Sequence, residues 1–152
     1  MNIKMLSYEN IIEYKSILYK LLIDVYKINF KLSIEECISI CNEKIENMVE
    51  YVKNDKAIII GACNDEDLVG FIWLFKNINQ GEQRLHVIQI VVKEEYRNKG
   101  IGKQLMMEAE KQAKNNDITT LELNVIEENR AAVSLYESLG YLTEKRLMTK
   151  KL

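Results

Sequence analysis

Val91-Val92-Lys93-Glu94-Glu95-Tyr96-Arg97-Asn98-Lys99-Gly100-Ile101-Gly102-Lys103 reads as the end of a strand, a charged turn and the start of a helix. An extended run from about Arg84 to Lys93 leads into it, and Ile101, Leu105, Ala109 and Ala113 then recur at helical spacing. A helix start presents N–H groups without intrahelical acceptors at the positive end of its dipole, which attracts an anion. Gly100 and Gly102 lack Cβ atoms and let anion oxygens come close to the backbone. Arg97, Lys99 and Lys103 add positive charge around Asn98 and Ile101. A Walker-type loop would need Ser or Thr after Gly-Lys, but Gln104 follows Lys103. A dinucleotide fingerprint would need a third glycine where Leu105 stands. On these residues alone the turn is either an anion site or a plain connection.

The rest of the chain surrounds this unit with alternating element types. Residues 2–6 suggest a short strand, and Ser7 can cap a helix over about 8–28. Ser33 and Glu36 form a capping-box pattern ahead of a second helix. Ala57–Cys63 and Leu68–Phe75 are apolar runs joined across Asn64–Asp67, and their lack of clean alternation predicts strands buried on both faces. A polar loop is expected before the strand at Arg84. After the helix over 101–114 come a strand over 118–125, a helix over 130–139 ended by Gly140, and a closing strand from Tyr141. The expected fold is a single mixed α/β domain over residues 1–152. Its mostly antiparallel twisted sheet has about six to seven strands with one parallel pair, and helices cover both faces.

Composition narrows the class. A chain of 152 residues, 47% hydrophobic and 29% charged, is an ordinary globule. A net charge of −2 gives no basic excess for nucleic acid. Its apolar runs fall short of the ~20 residues of a membrane helix. Met1–Leu6 leads straight into a mixed pattern without a signal peptide, so a cytoplasmic location is expected. Cys37, Cys41 and Cys63, with His86 as the lone histidine, read as core residues rather than a metal site.

Arg97-x-x-Gly100-x-Gly102 after a strand resembles the acetyl-CoA pyrophosphate loop of the GNAT superfamily of N-acetyltransferases. A second segment agrees: Leu121-Glu122-Leu123-Asn124-Val125, then Asn129-Arg130-Ala131-Ala132-Val133-Ser134-Leu135-Tyr136-Glu137-Ser138-Leu139-Gly140-Tyr141. It is similar to the family's fifth strand and following helix. With the flanking strands the resemblance covers roughly residues 56–145. It implies acetyl-CoA as co-substrate, an amine acceptor, no metal, and a parallel strand pair splayed to admit pantetheine. Backbone groups of Ile90, Val91 and Val92 would bind the pantetheine amides, and residues 97–103 the pyrophosphate. Asn129 can cap its helix, and its counterpart in relatives lies near the cofactor. Tyr136 would be the acid for the leaving thiolate, although it also belongs to the stripe Ala132, Leu135, Tyr136, Leu139 of a core-facing helix.

A lysine-like amine of pKa ~10.4 costs roughly 4.6 kcal/mol to deprotonate at pH 7, so transfer needs a base or a proton path. His86 is the candidate, because an ordinary histidine pKa of ~6.5 suits that task. Strand alternation puts it on one face with Ile88, Ile90 and Val92. Glu122 and Asn124 are weaker candidates for holding the amine or its water. Relatives commonly end in two strands where this chain has room for one, so a second subunit could complete the acceptor wall as a homodimer. The competing reading is an acyl-CoA-binding sensor or interaction module that kept the fold without catalysis.

Overall fold

The computed structural model describes all 152 residues. Strand β1 (Asn2–Met5) leads to helices α1 (Tyr8–Glu13), α2 (Lys15–Asn29) and α3 (Ile34–Lys53). Strands β2 (Ala57–Asn64), β3 (Asp67–Asn79) and β4 (Glu82–Val92) follow. A 3₁₀ turn (Glu94–Tyr96), α4 (Ile101–Asn115), β5 (Leu121–Leu123) and α5 (Arg130–Ser138) complete the elements. Both predicted helix starts are capped as their residue types require. Ser33 Oγ accepts from Glu36 N at 3.2 Å while the Glu36 carboxylate accepts from Ser33 N at 2.8 Å. Ser7 does the same with Asn10. The helix expected over 8–28 is interrupted at Tyr14, whose hydroxyl donates to the Glu66 carbonyl at 3.3 Å and ties the break to the β2–β3 turn.

The sheet order follows the chain, β1-β2-β3-β4-β5. The first three pairings are antiparallel and β4–β5 is parallel, as expected for a strand-helix-strand crossover. The two faces carry separate cores. Ile59, Phe71, Trp73 and Val91 pack with α1–α3, while Ile58, Ile60, Ile72, Leu74 and Val87 pack with α4. That is why β2 and β3 lack a polar face in sequence. Cys37, Cys41 and Cys63 are free and buried, consistent with core packing.

Three expectations need correction. The sheet has five strands, because Tyr141–Leu152 forms no strand. This tail leads away along an ion pair from Glu144 to Arg84, and Leu142, Leu147 and Met148 stay exposed. The loop expected before Arg84 is instead a hairpin. Gln80 and Gly81, at φ 51° and 82°, make a two-residue turn with the positive φ values of the twisted type that suits paired strands. Finally, β5 is three residues long rather than eight, because it pairs with β4 only from Leu121 to Leu123.

Gly70 marks a tight spot under the second half of β4. A Cβ built there would lie 2.8 Å from the Val91 carbonyl oxygen, a backbone atom that cannot swing away. At Gly61 the nearest atom is the Leu68 side-chain tip at 2.9 Å, which can. Gly70→Ala is therefore expected to destabilise the protein by about 1–3 kcal/mol and Gly61→Ala by less, read from urea denaturation midpoints. Equal losses would contradict this account of the β3–β4 contact.

Candidate active site

The site forms where β4 loses its partner. Leu85, His86 and Val87 pair with Leu121, Glu122 and Leu123, and there the parallel ladder stops. Strand β4 continues to Val92, paired through Val91 and Val92 with Phe71 and Gly70 on its other side only. Its backbone from Ile88 onward therefore faces an opening on the β5 side. A bulge coincides with this point. Val87 pairs with Leu74 and Gln89 with Trp73, which leaves Ile88 without a partner on β3.

The bulge also re-aims the side chains. Leu85, Val87, Ile90 and Val92 pack on the α4 face, whereas Ile88 and Val91 pack on the α1–α3 face. His86 lies opposite Phe75 and shares that second face. Simple alternation, which put His86 with Ile90 and Val92, fails because the unpaired residue inverts the strand between them. Trp73, on the same face, carries a buried indole N–H with no hydrogen-bond partner in the protein.

At the far end of the opening, the chain turns twice into left-handed backbone, at Asn98 (φ 58°) and Gly100 (φ 77°). Helix α4 then starts without any side-chain cap. Its first intrahelical bond runs from Gln104 N to Gly100 O at 3.1 Å, so the N–H groups of Ile101, Gly102 and Lys103 have no acceptor within the helix. The two glycines serve different ends. Gly100 supplies the positive φ, whereas a Cβ at Gly102 would come to 3.7 Å from Leu135 of α5, an ordinary contact. Arg97 donates from Nε to the Val92 carbonyl at 3.0 Å, and Lys99 lies over the Tyr96 ring at 5.2 Å. Tyr96 and its 3₁₀ turn carried no sequence signal.

Helix α5 closes the α4 side. Asn129 accepts from Ala132 N at 3.3 Å and caps it. Tyr136 is half-buried against the α4-side core, its ring 5.8 Å from that of Tyr141, and burial pushes its hydroxyl pKa up. Tyr136 and His86 thus stand on opposite faces of the sheet.

His86 belongs to a polar cluster that sequence reasoning largely missed. Its Nδ1 lies 3.3 Å from Glu122 Oε1, which also accepts from Asn77 Nδ2 at 3.2 Å. Arg84 reaches the other Glu122 oxygen at 3.2 Å and binds Glu82 and Glu144 as well. The three residues Arg84, His86 and Glu122 share a face, but only the parallel register brings them together. Asn124, paired with Glu122 in the sequence reading, is exposed beyond the end of β5. Burial raises the Glu122 pKa, yet the hydrogen bonds from Asn77 and Arg84 and the charge of His86 outweigh it, so the net shift is downward.

That shift has a stability consequence. A carboxylate whose folded pKa is depressed contributes stability above its ordinary value of 4.5, and the contribution is lost as pH falls through the folded value. Thermal unfolding of the wild type should therefore lose more stability below about pH 4.5 than Glu122→Gln does. Parallel Tm–pH curves would show that Glu122 carries no such coupling.

Comparison with known proteins agrees with this geometry. A statistical model of the acetyltransferase (GNAT) family matches residues 20–141. A spermidine N(1)-acetyltransferase of Thermoplasma acidophilum is 35% identical over 103 residues, which is 67% of this chain and 62% of that protein. An N-alpha-acetyltransferase of Sulfurisphaera tokodaii is 36% identical over 110 residues, 65% of each chain. The matched segments thus span less than two thirds of the curated relatives' own lengths. The crystal structure of PaiA N-acetyltransferase from Thermoplasma acidophilum in complex with coenzyme A superposes with a TM-score of 0.73 at 28% identity, covering 95% of this chain and 92% of that one. The strand-turn-helix at Val91–Lys103, the short parallel β4–β5 pair and the family match converge, and the chain belongs to the acetyltransferase (GNAT) family.

Proposed function

We propose that the protein transfers an acetyl group from acetyl-coenzyme A to a primary amine. The observation that carries this reading is the uncapped start of α4, set at the end of a strand whose backbone is open from Ile88 to Val92. The pyrophosphate would accept hydrogen bonds from the N–H groups of Ile101, Gly102 and Lys103, with Arg97, Asn98, Lys99 and Gly100 shaping the turn around it. Pantetheine would lie along Ile90, Val91 and Val92, and its amides would replace the strand partner that β4 lacks. With the Val92 carbonyl held by Arg97, those amides would find their partners among the remaining β4 groups. Asn129, which caps α5, would contact the same cofactor.

The acceptor nitrogen attacks the thioester carbonyl carbon, the C–S bond breaks, and coenzyme A leaves as thiolate. Tyr136 serves the thiolate from the α4 face. A thiol pKa of ~8.5 against ~10 for tyrosine already makes full proton transfer uphill by about 2 kcal/mol, and burial of Tyr136 adds to that. Its hydroxyl therefore acts mainly as a hydrogen-bond donor that strengthens as charge grows on sulfur. His86 takes the amine proton from the opposite face. Glu122, accepting from Nδ1–H, would leave Nε2 as the basic nitrogen and fix the ring. Acid and base on opposite sides of the opening suit a reaction whose nucleophile and leaving group lie on opposite sides of one carbonyl. The names of the two relatives, a spermidine N(1)-acetyltransferase and an N-alpha-acetyltransferase, both specify acetylation at nitrogen and support that acceptor class.

A thiol-release assay over a panel of amines tests the reading. Tyr136→Phe should lose turnover on the order of 10²-fold while acetyl-CoA affinity stays unchanged. His86→Ala should lose most near neutral pH and recover as pH rises toward that of the amine, which then needs no base. Acetyl-CoA binding without turnover on any amine would overturn catalysis in favour of a sensor.

A further inference from the structure

The α1–α3 face of the sheet carries three polar side chains that neither the fold nor the proposed reaction uses. Trp73 is only 2% exposed, and its indole N–H has no hydrogen-bond partner. A buried indole N–H is normally paired, because leaving it unpaired forfeits the bond it makes to water in the unfolded chain. Gln89 stands directly opposite Trp73 in the β3–β4 ladder, so the two share that face. Its side chain is half-buried and makes no hydrogen bond. Lys44 of α3 completes the set, with its ammonium 5.8 Å from the centre of the Trp73 ring and 5.7 Å from that of Tyr26. Lys44 enters none of the protein's ion pairs. Its helical neighbours three and four positions away are Ile40, Cys41, Asn47 and Met48, none of them acidic.

An indole N–H and an ammonium can only donate, so what this spot lacks is an acceptor, and the ammonium favours one with negative charge. The place matters as much as the chemistry. Gln89 follows the bulged Ile88, where the open stretch of β4 begins, and His86 lies on the same face. In the proposed reaction the cofactor's phosphates sit at the far end of that stretch, on the start of α4, so they do not supply this anion. We propose that Lys44, Trp73 and Gln89 bind a carboxylate of the acceptor, so that the amine acetylated is that of an amino acid rather than a simple alkylamine or polyamine. The inference rests on the acetyl transfer proposed above and narrows its acceptor. The flexible four-carbon stem of Lys44 lets its ammonium leave the ring face for the carboxylate. The acceptor's amine would then stand toward His86 and Glu122, and its two opposite charges would each meet their complement.

Trp73 is the only tryptophan, so its fluorescence reports on this spot directly. The complex with coenzyme A is titrated with pairs of amines that differ only in a carboxylate: lysine and cadaverine, serine and ethanolamine, phenylalanine and phenethylamine. Thiol release from acetyl-CoA is measured with the same pairs. At least one amino acid should change the Trp73 emission and bind roughly 10- to 100-fold tighter than its decarboxylated counterpart. Lys44→Met should erase that advantage, leaving kcat and the counterpart's KM unchanged, while Lys44→Arg keeps it. Should Lys44→Met fail to fold, Gln89→Met should reduce the same advantage. Amines turned over with no preference for the carboxylate, or a Lys44→Met variant that weakens both members of a pair equally, overturn the inference and leave acetyl transfer standing. A response of Trp73 to amino acids without thiol release from any amine overturns the transfer and leaves the carboxylate site. Silence in both measurements overturns both.

Discussion

Every buried or half-buried strand must find partners for its backbone N–H and C=O groups, and β4 does so on its β5 side for only three residues. Strand β5 ends at Leu123, opposite Val87, while β4 continues five residues further to Val92. The rest of the molecule is arranged around that incomplete ladder. Strand β3 holds β4 firmly from the other side, with Gly70 allowing the Val91 carbonyl to approach within the space of a missing Cβ. The turn through Asn98 and Gly100 then delivers α4 so that its free N–H groups stand at the end of the same opening. Two sets of unsatisfied backbone groups, one along a strand and one at a helix start, thus face a common path. The extended ligand of the proposed reaction, with amides at one end and phosphates at the other, would satisfy both.

The bulge at Ile88 puts the proposed base and acid, His86 and Tyr136, on different faces. Without it, His86 would share a side with Ile90 and Val92 and point toward α4 and Tyr136. With it, His86 turns to the α1–α3 face, where Glu122, Asn77 and Arg84 surround it. Arg84 is bound by Glu144, Glu82 and Glu122, which stabilise its charged form. That network also ties the start of the C-terminal tail to the sheet through Glu144.

Local signals in the sequence carried much of this. The caps at Ser7 and Ser33, the end of α5 at Gly140 with φ 90°, and the strand-turn-helix through Arg97–Gly102 each depend on residues a few positions apart. The two-faced burial of β2 and β3 was legible from their unbroken apolar runs. What escaped was set by pairing between distant segments. Nothing around Ile88 marks a bulge, because it arises from the register against Trp73 and Leu74. The contact of His86 with Glu122 needs the parallel register of β4 and β5, across 36 positions. The β3–β4 turn was hidden by Gln80, an unusual residue for positive φ, and the absence of a closing strand by the lack of any local signal in Tyr141–Leu152 for whether it pairs.

Amide hydrogen exchange with and without coenzyme A tests the central claim most directly, because it reads the backbone groups themselves. Binding should slow exchange at Ile90–Val92 and at Ile101–Lys103 together, leaving the already paired strands β2 and β3 unchanged. Saturating coenzyme A that protects neither segment, or protects a different surface, would contradict a cofactor path that completes the β4 ladder and ends on the start of α4.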